Sequence, residues 1–243
     1  MALHASAAEA AVRRYALVVG SNEGDASEVK LRYAESDAQR VGRVLREHGE
    51  FPPENVLVLV DGEADDVRRA LIGMNSRVRE DGGGSVLFVF YSGHADADSL
   101  HVRGTRLDTK ELRDLVYGSP AGARVLVVDA CRSGSVTRAK GGTAAAAFVI
   151  DVEAPLAASG VAILTSSAAG EDSQESEALE ASFFTHYLVS AMLGAGDGDS
   201  DGRVSLAEAF SYASERTLVA TSATVAGPQH PTFRMDLVGR EDL

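Results

Sequence analysis

The 243-residue chain contains a single cysteine, Cys131, which excludes an internal disulfide. One cysteine and no pair of histidines at ligand spacing also argue against a zinc site. Basic residues are scarce, with 23 Lys and Arg against 36 Asp and Glu, so the net charge is −13. Nucleic acids and anionic membranes demand clustered Lys and Arg, and the sequence therefore predicts neither as a partner.

Long apolar segments are also missing. No run approaches the length of a membrane span, and residues 1–13 lack the charged and apolar regions of a signal peptide. We therefore expect a cytoplasmic protein. Neither a P-loop nor a GxGxxG motif follows the first predicted strand, which removes the usual support for nucleotide binding.

Hydrophobic residues make up 45% of the chain, which is enough for one large core. Continuous apolar and β-branched runs predict strands at 14–20, 55–60, 85–91, 124–128, 160–165 and 232–237. Apolar residues three or four positions apart predict helices at 31–47, 64–80, 108–116, 182–193 and 205–220. This order predicts a three-layer α/β sandwich, with a mainly parallel central sheet of about six strands and helices on both faces. We expect one domain at 14–243 after an N-terminal extension at 1–13.

Two of the predicted strands deliver a histidine and the cysteine to turns at their carboxyl ends. One leads into Tyr91-Ser-Gly-His94, and the other leads into Asp129-Ala-Cys131-Arg-Ser-Gly134. Open α/β sheets place their ligand crevices at this edge. A cysteine close to a histidine in space is the arrangement of nucleophilic catalysis, because the histidine keeps the thiol as its reactive thiolate. A lone cysteine can instead be an ordinary buried side chain, but the histidine motif favours the catalytic interpretation.

These two motifs resemble the histidine and cysteine motifs of the caspase-like cysteine peptidases, in particular the bacterial caspase homologues and metacaspases. The resemblance extends in element order from about residue 14 to about residue 237. It implies a caspase-like fold and a cysteine endopeptidase that needs no cofactor for catalysis, with His94 keeping Cys131 as a thiolate. It also implies that backbone amides near Gly93 and at Cys131 bind the oxyanion. Ala95 follows the histidine where many relatives have glycine, and a backbone amide donates from either residue.

In metacaspase-like enzymes two acidic residues line the pocket for the residue before the scissile bond. The resemblance places Asp129 and Asp37 at those positions, and it implies protein or peptide substrates with Arg or Lys there. Enzymes that cut after aspartate would need arginines instead, and Arg32 and Arg132 lie outside the matched positions. The alternative is that Asp37 is a solvated helix residue and Asp129 is a turn residue.

The segment at 134–159 carries few signals of regular structure. A loop of this length in a compact domain is usually functional or disordered. In caspase relatives the segment after the cysteine contains activating cleavage sites. By this resemblance, Arg138 and Lys140 are candidate processing sites of an enzyme that cuts after basic residues. A plain exposed loop is the alternative.

An acidic loop at 197–208 matches the EF-hand pattern D-x-D-x-D-G-x5-E in full, between two predicted helices. The pattern assigns calcium ligands, one of them a backbone carbonyl, to Asp197, Asp199, Asp201, Arg203, Ser205 and Glu208. Bound Ca²⁺ could order the C-terminal helices beside the substrate cleft. The alternative is an acidic connection between helices that binds no metal.

A non-catalytic protein of the same fold, acting as a scaffold or a calcium-responsive interaction module, is the rival function. The presence of both His94 and Cys131 disfavours it, although their presence does not show that they face each other. A flavodoxin-like binding domain would leave both residues unexplained. The histidines at 4, 48, 101, 186 and 230 have no ligand spacing to the cysteine and are interpreted as surface or helix-packing residues. The oligomeric state stays open, because caspases dimerise through an edge strand whereas most metacaspases are monomers.

Overall fold

The computed structural model describes residues 12–82, 84–130, 159–169 and 171–238. Three predicted site residues lie outside the described residues: the nucleophile Cys131 and the processing candidates Arg138 and Lys140. The predicted base, the two specificity acids and the whole calcium loop lie inside them.

Within these ranges, six strands form the central sheet. In chain order, the elements are β1 (Arg14–Gly20), α1 (Ala34–Glu47), β2 (Val56–Val60), α2 (Ala64–Glu80), β3 (Val86–Ser92), β4 (His94–Ala95), β5 (Ser99–Val102), β6 (Thr105–Asp108), α3 (Thr109–Tyr117), β7 (Ala123–Asp129), β8 (Ser159–Thr165), β9 (Glu175–Ser176), β10 (Ala181–Ser182), α4 (Phe183–Ser190), α5 (Leu206–Thr221) and β11 (Thr232–Val238). The sheet order is β11-β8-β7-β3-β1-β2, and every pair is parallel except β11 with β8. The predicted α/β architecture is confirmed.

The sheet is buried between two layers of helices, because successive side chains of a strand point to opposite faces. On one face, Leu17, Leu87 and Leu126 belong to a core shared with α2 and α3. On the other face, Val18 and Phe90 belong to a core shared with α1, α4 and α5. β3 and β7 are buried along their whole length, which explains their continuous apolar sequences. These two strands carry the histidine and cysteine motifs at their ends.

α3 and α4 each begin at a residue whose side chain caps the helix. Asp108 accepts a hydrogen bond from the Glu111 N–H at 3.0 Å, and Ser182 accepts one from the Thr185 N–H at 3.0 Å. α4 is shorter than predicted, because the chain continues from it as a π-helical segment at Ala191–Ala195. In the part of the chain that the structure describes, no helix has both the length and the apolar composition needed to cross a bilayer.

The polar segment at 96–106 is where the structure adds strands that the sequence does not predict. With the residues on either side it forms a three-stranded antiparallel sheet of β4, β5 and β6. The turn between β5 and β6 is made by Arg103 and Gly104, whose φ angles of 48° and 74° are both positive. Such two-residue turns are usually signalled by Asn-Gly or Asp-Gly. Because arginine occupies the first turn position, the sequence lacks the usual signal for this hairpin.

Candidate active site

The histidine and cysteine motifs begin side by side at one edge of the sheet. β3 and β7 are parallel and in register, with Ser92 paired to Asp129. One residue further along, the Gly93 N–H donates a hydrogen bond to the Asp129 carbonyl at 3.1 Å. The predicted oxyanion donor at Gly93 is therefore already engaged. The structure therefore describes the two motifs side by side up to Ala130. The next residue, Cys131, lies outside the described residues.

The ring of His94 is oriented by the loop between β1 and α1. Its side chain is 12% exposed, and Nε2 lies 2.9 Å from the Val29 carbonyl oxygen. A carbonyl oxygen only accepts hydrogen bonds, so Nε2 carries a proton and Nδ1 of the neutral ring is the basic nitrogen. The backbone of Gly24 packs against the ring, where an added Cβ would lie 2.7 Å from His94 Cδ2. This fixed orientation suits a general base.

His101 lies directly opposite His94 in the β4–β5 pair. It is 3% exposed and lies in a strand, so its interpretation as a surface or helix-packing residue is wrong. Its Nδ1 lies 2.8 Å from Glu28 Oε1, and the same oxygen is 3.9 Å from His94 Nδ1. The partner Glu28 is 73 positions away in the chain. No local sequence pattern reveals a contact over that separation.

The two predicted specificity acids converge on the start of α4. Asp37, in the first turn of α1, is fully buried and accepts a hydrogen bond from the Ser182 N–H at 2.8 Å. Asp129 accepts hydrogen bonds from the Ser182 hydroxyl and, at 2.6 Å each, from the hydroxyls of Thr185 and Ser173. Both carboxylates are buried, so neither acid is a solvated surface residue.

The carboxyl group of Asp37 keeps one oxygen without a hydrogen bond. Among the described residues, buried Oδ1 has no hydrogen-bond partner, and the nearest Arg40 guanidinium nitrogen is 3.7 Å away. Burial raises the pKa of Asp37 to about 8; the Ser182 N–H opposes this shift, and the charge of Asp129 adds to it. Asp37 is therefore mainly protonated at neutral pH. Buried polar atoms normally have a partner, and Oδ1 has none among the described residues.

The loop between β8 and β10 closes one side of the acidic pair. Glu175 accepts hydrogen bonds from the N–H groups of Arg32 and Tyr33, at 3.0 and 2.9 Å, which ties this loop to the start of α1. The fully buried Gln229 donates to the Ser166 carbonyl at 2.8 Å, which ties it to the segment before β11. The anchors of this loop come from distant segments of the chain, so the sequence alone does not assign them.

The predicted calcium loop lies between the π-helical segment and α5, so helices flank it as expected. Carboxylate oxygens of Asp197, Asp199 and Glu208 lie within 4.8 Å of one another. The Asp201 carboxylate instead accepts a hydrogen bond from the Arg203 N–H at 2.8 Å. Three of the four predicted carboxylate ligands therefore converge, and loop N–H groups donate to all four.

Comparisons with known proteins give a family match and a structural neighbour. The family model of the caspase domain matches residues 13–238 of the chain. The crystal structure of caspase-1 from Spodoptera frugiperda aligns with a TM-score of 0.65 and 15% sequence identity, over 92% of this chain and 86% of that chain. No curated protein sequence matches the chain significantly. At this low identity the structural similarity shows the fold alone, whereas the family match spans nearly the whole sequence.

Proposed function

The chain belongs to the caspase domain family, and on this basis we propose that it is a cysteine endopeptidase that cleaves protein substrates after Arg or Lys. Cys131 is the nucleophile, His94 is its partner, and Asp37 and Asp129 select the basic side chain. The observation that carries this proposal is the buried acidic pair beside the histidine motif, because two carboxylates in a pocket favour a cationic side chain.

The orientation of His94 supports its role as the base. With the Nε2 proton donated to the Val29 carbonyl, Nδ1 accepts the proton of the Cys131 thiol, and the thiolate attacks the scissile carbonyl carbon. The carbonyl electron pair moves to oxygen and returns as the C–N bond breaks, while His94 protonates the leaving amine. Water then hydrolyses the acyl-enzyme. Because Asp129 engages the Gly93 N–H, the Cys131 amide is the oxyanion donor that this mechanism retains.

The unpartnered Oδ1 of Asp37 supports recognition of a substrate cation. A guanidinium can donate two parallel hydrogen bonds to a carboxylate, whereas an ammonium acts as a point charge. Burial raises the pKa of Asp37 to about 8, so binding of a basic side chain drives the loss of its proton. The net charge of −13 also favours the approach of basic substrates.

Matched fluorogenic peptides that differ only in the residue before the scissile bond test this proposal. We expect kcat/KM for the Arg and Lys peptides to exceed that for the Asp peptide at least about a hundredfold, because like charges in a buried pocket cost several kcal/mol. Cys131→Ala serves as the inactive control. His48 is exposed at the end of α1, so His48→Gln serves as a surface control. Cleavage of the Asp peptide alone would contradict the specificity. No cleavage of any peptide, with or without calcium, would favour the non-catalytic scaffold.

We further propose that the loop at 197–208 binds Ca²⁺ and makes activity calcium-dependent. The convergence of Asp197, Asp199 and Glu208 supports this, as does the φ of 86° at Gly202, the sharp bend of the pattern. The loop follows α4 and its π-helical extension, and Ser182 at the start of α4 holds both specificity acids. Calcium in the loop would therefore stabilise the helix on which the pocket depends.

Glu208→Gln should lower the affinity for Ca²⁺ at least about tenfold, because it removes the bidentate carboxylate at the last position of the loop. Glutamine still supports the capping box that Glu208 forms with Ser205, so α5 should keep its start. Isothermal titration calorimetry measures the affinity, with the exposed Glu215→Gln on α5 as the matched control. Equal affinities of wild type and Glu208→Gln would place any calcium site elsewhere.

Arg138 and Lys140 are proposed processing sites for the same activity. Incubated wild-type protein should yield two fragments cut after one of these residues, as mass spectrometry of the fragments would show. Cys131→Ala should stay intact, and so should a variant with Arg138→Gln and Lys140→Gln. A cut elsewhere in the chain would contradict this assignment.

A further inference from the structure

A partly buried network of charged side chains lies beside the His94 ring. His101 faces His94 across the β4–β5 pair, and its side chain is 4% exposed. Its Nδ1 lies 2.8 and 2.9 Å from the two carboxylate oxygens of Glu28, and its Nε2 lies 3.0 Å from Asp96 Oδ2. None of these contacts takes part in the peptidase steps described above.

The hydrogen bonds of His101 fix its protonation state. Carboxylates accept hydrogen bonds and neutral imidazole has one N–H, so contacts from both ring nitrogens to carboxylates require the imidazolium. Burial acts to lower the pKa of His101, but the hydrogen bonds to Glu28 and Asp96 outweigh it and raise the pKa above its usual value. Among the described residues, the charged and titratable groups around the ring are Asp25 and Glu28 on the β1–α1 loop, His94 on β4, Asp96 after β4, and Arg106 on β6.

Arg106 is the second cation of this network. Its guanidinium pairs with Asp25 and, at 3.1 Å, with Asp96. Three carboxylates therefore surround two cations, Arg106 and the imidazolium of His101. A neutral ring at His101 would leave the three carboxylates with Arg106 alone to offset them, and a partly buried site disfavours the added negative charge.

Glu28 connects this network to the residue that orients His94. It directly precedes Val29, whose carbonyl accepts the Nε2 hydrogen bond of His94. Glu28 Oε2 also accepts a hydrogen bond from the Asp25 N–H at 2.6 Å, so the carboxylate is fixed both to its own loop and to His101. The carbonyl that orients the catalytic ring thus lies next to the side chain that His101 holds.

We propose that His101, held as an imidazolium between Glu28 and Asp96, is a positioning residue for His94. Its hydrogen bonds to Glu28 keep the Val29 carbonyl against His94 Nε2, so that Nδ1 remains the basic nitrogen. The Glu28 carboxylate, 3.9 Å from Nδ1, then stabilises the proton that Nδ1 takes up during catalysis. This role rests on the proposed function, in which His94 is the base.

NMR of wild-type protein labelled with nitrogen-15 at histidine tests the charge state without any substitution. We expect both ring nitrogens of His101 to be protonated at neutral pH, while His94 is in the Nε2–H tautomer. The signals of His101 are assigned with His101→Gln or, if that variant does not fold, by their shift in Glu28→Gln. A neutral His101 ring at neutral pH would overturn the proposal.

Kinetics of His101→Gln and Glu28→Gln test the positioning role. His101→Gln removes the ability to donate to both carboxylates, and Glu28→Gln removes the negative charge beside His94. In both variants kcat should therefore fall about tenfold, while KM should stay within about twofold of the wild-type value. The His94 Nε2–H tautomer should lose population in both. The double variant should be no slower than the slower single variant, because both substitutions break one contact. His48→Gln should behave as wild type.

The outcomes separate this role from the proposed function. An unchanged His94 tautomer and an unchanged kcat in a folded variant would overturn the role of His101. The role would also be overturned if the losses of kcat in the two single variants add up in the double variant and parallel its loss of thermal stability. If the wild type cleaves no peptide, the proposed function fails, but the His94 tautomer in the two variants still decides whether His101 positions that ring.

Discussion

Replacement of Asp37 by Asn is expected to lower kcat/KM for peptides ending in Arg by about two to four orders of magnitude. The guanidinium would enter a buried pocket that has lost a charged partner, at a cost of about 3–5 kcal/mol. The Ser182 N–H keeps an acceptor, because the Asn carbonyl can replace Oδ2. A matched peptide with an uncharged residue before the scissile bond should lose far less, which distinguishes lost charge recognition from a damaged active site.

The same substitution should make the protein more stable at alkaline pH. The pKa of Asp37 is about 8 in the folded protein, against an ordinary value of 3.8. Between these values the folded state holds a proton that the unfolded state has lost, so stability falls as the pH rises from about 4 to about 8 and then levels off. At pH 8 and above, the buried carboxyl costs on the order of 3–6 kcal/mol, and the Asn side chain removes this cost.

Thermal unfolding at pH 5 and at pH 8.5 measures this difference. The gain in Tm of Asp37→Asn over the wild type should be larger at the higher pH. Asp114→Asn is the matched control, because Asp114 is exposed on α3, where it pairs with Lys110, and its loss should cost less than about 1 kcal/mol at either pH. A gain that does not depend on pH would mean that Asp37 does not hold a proton in the folded state.

The parts of the fold that the sequence predicts have local causes. β1, β3 and β7 are buried on both faces, so their continuous apolar runs identify them without knowledge of their partners. α2 has its predicted bounds because Val67, Leu71 and Met74 recur at helical spacing and all face one core. The adjacency of the two motifs follows from the parallel arrangement of strands, which the alternation of strands and helices already indicates.

The parts that the sequence does not reveal depend on contacts between distant residues. Ser182 caps α4 locally, whereas its contacts with Asp37 and Asp129 join positions 145 and 53 residues apart. His101 likewise depends on Glu28, 73 positions earlier. The resemblance to a family assigns roles to single residues such as Asp37 and Asp129. It does not identify the side chains and backbone groups that hold those residues in place. The raised pKa of Asp37 is another property that depends on distant residues, because it follows from burial and from the charge of Asp129.

Gly24→Ala is expected to reduce kcat by about a hundredfold. The added Cβ would overlap the Glu28 carboxylate and lie 2.7 Å from His94 Cδ2, so the ring must move. A displacement of about 1 Å in a catalytic group costs about a hundredfold in rate. The backbone of Gly24 cannot withdraw freely, because its carbonyl accepts a hydrogen bond from the Gly104 N–H at 3.0 Å. Steady-state kinetics with Arg peptides measure the loss.

A second glycine separates this steric effect from the general effect of an alanine. Gly73 lies in α2, and a Cβ added there meets no atom within 4 Å, so Gly73→Ala should leave kcat unchanged and stabilise the helix by about 0.5–1 kcal/mol. KM of Gly24→Ala should stay near the wild-type value, because Asp37 and Asp129 are held by α4 and not by the Gly24 loop. A raised KM with unchanged kcat would assign that loop to substrate binding. Wild-type values of both would mean that the loop does not hold the His94 ring in the working enzyme.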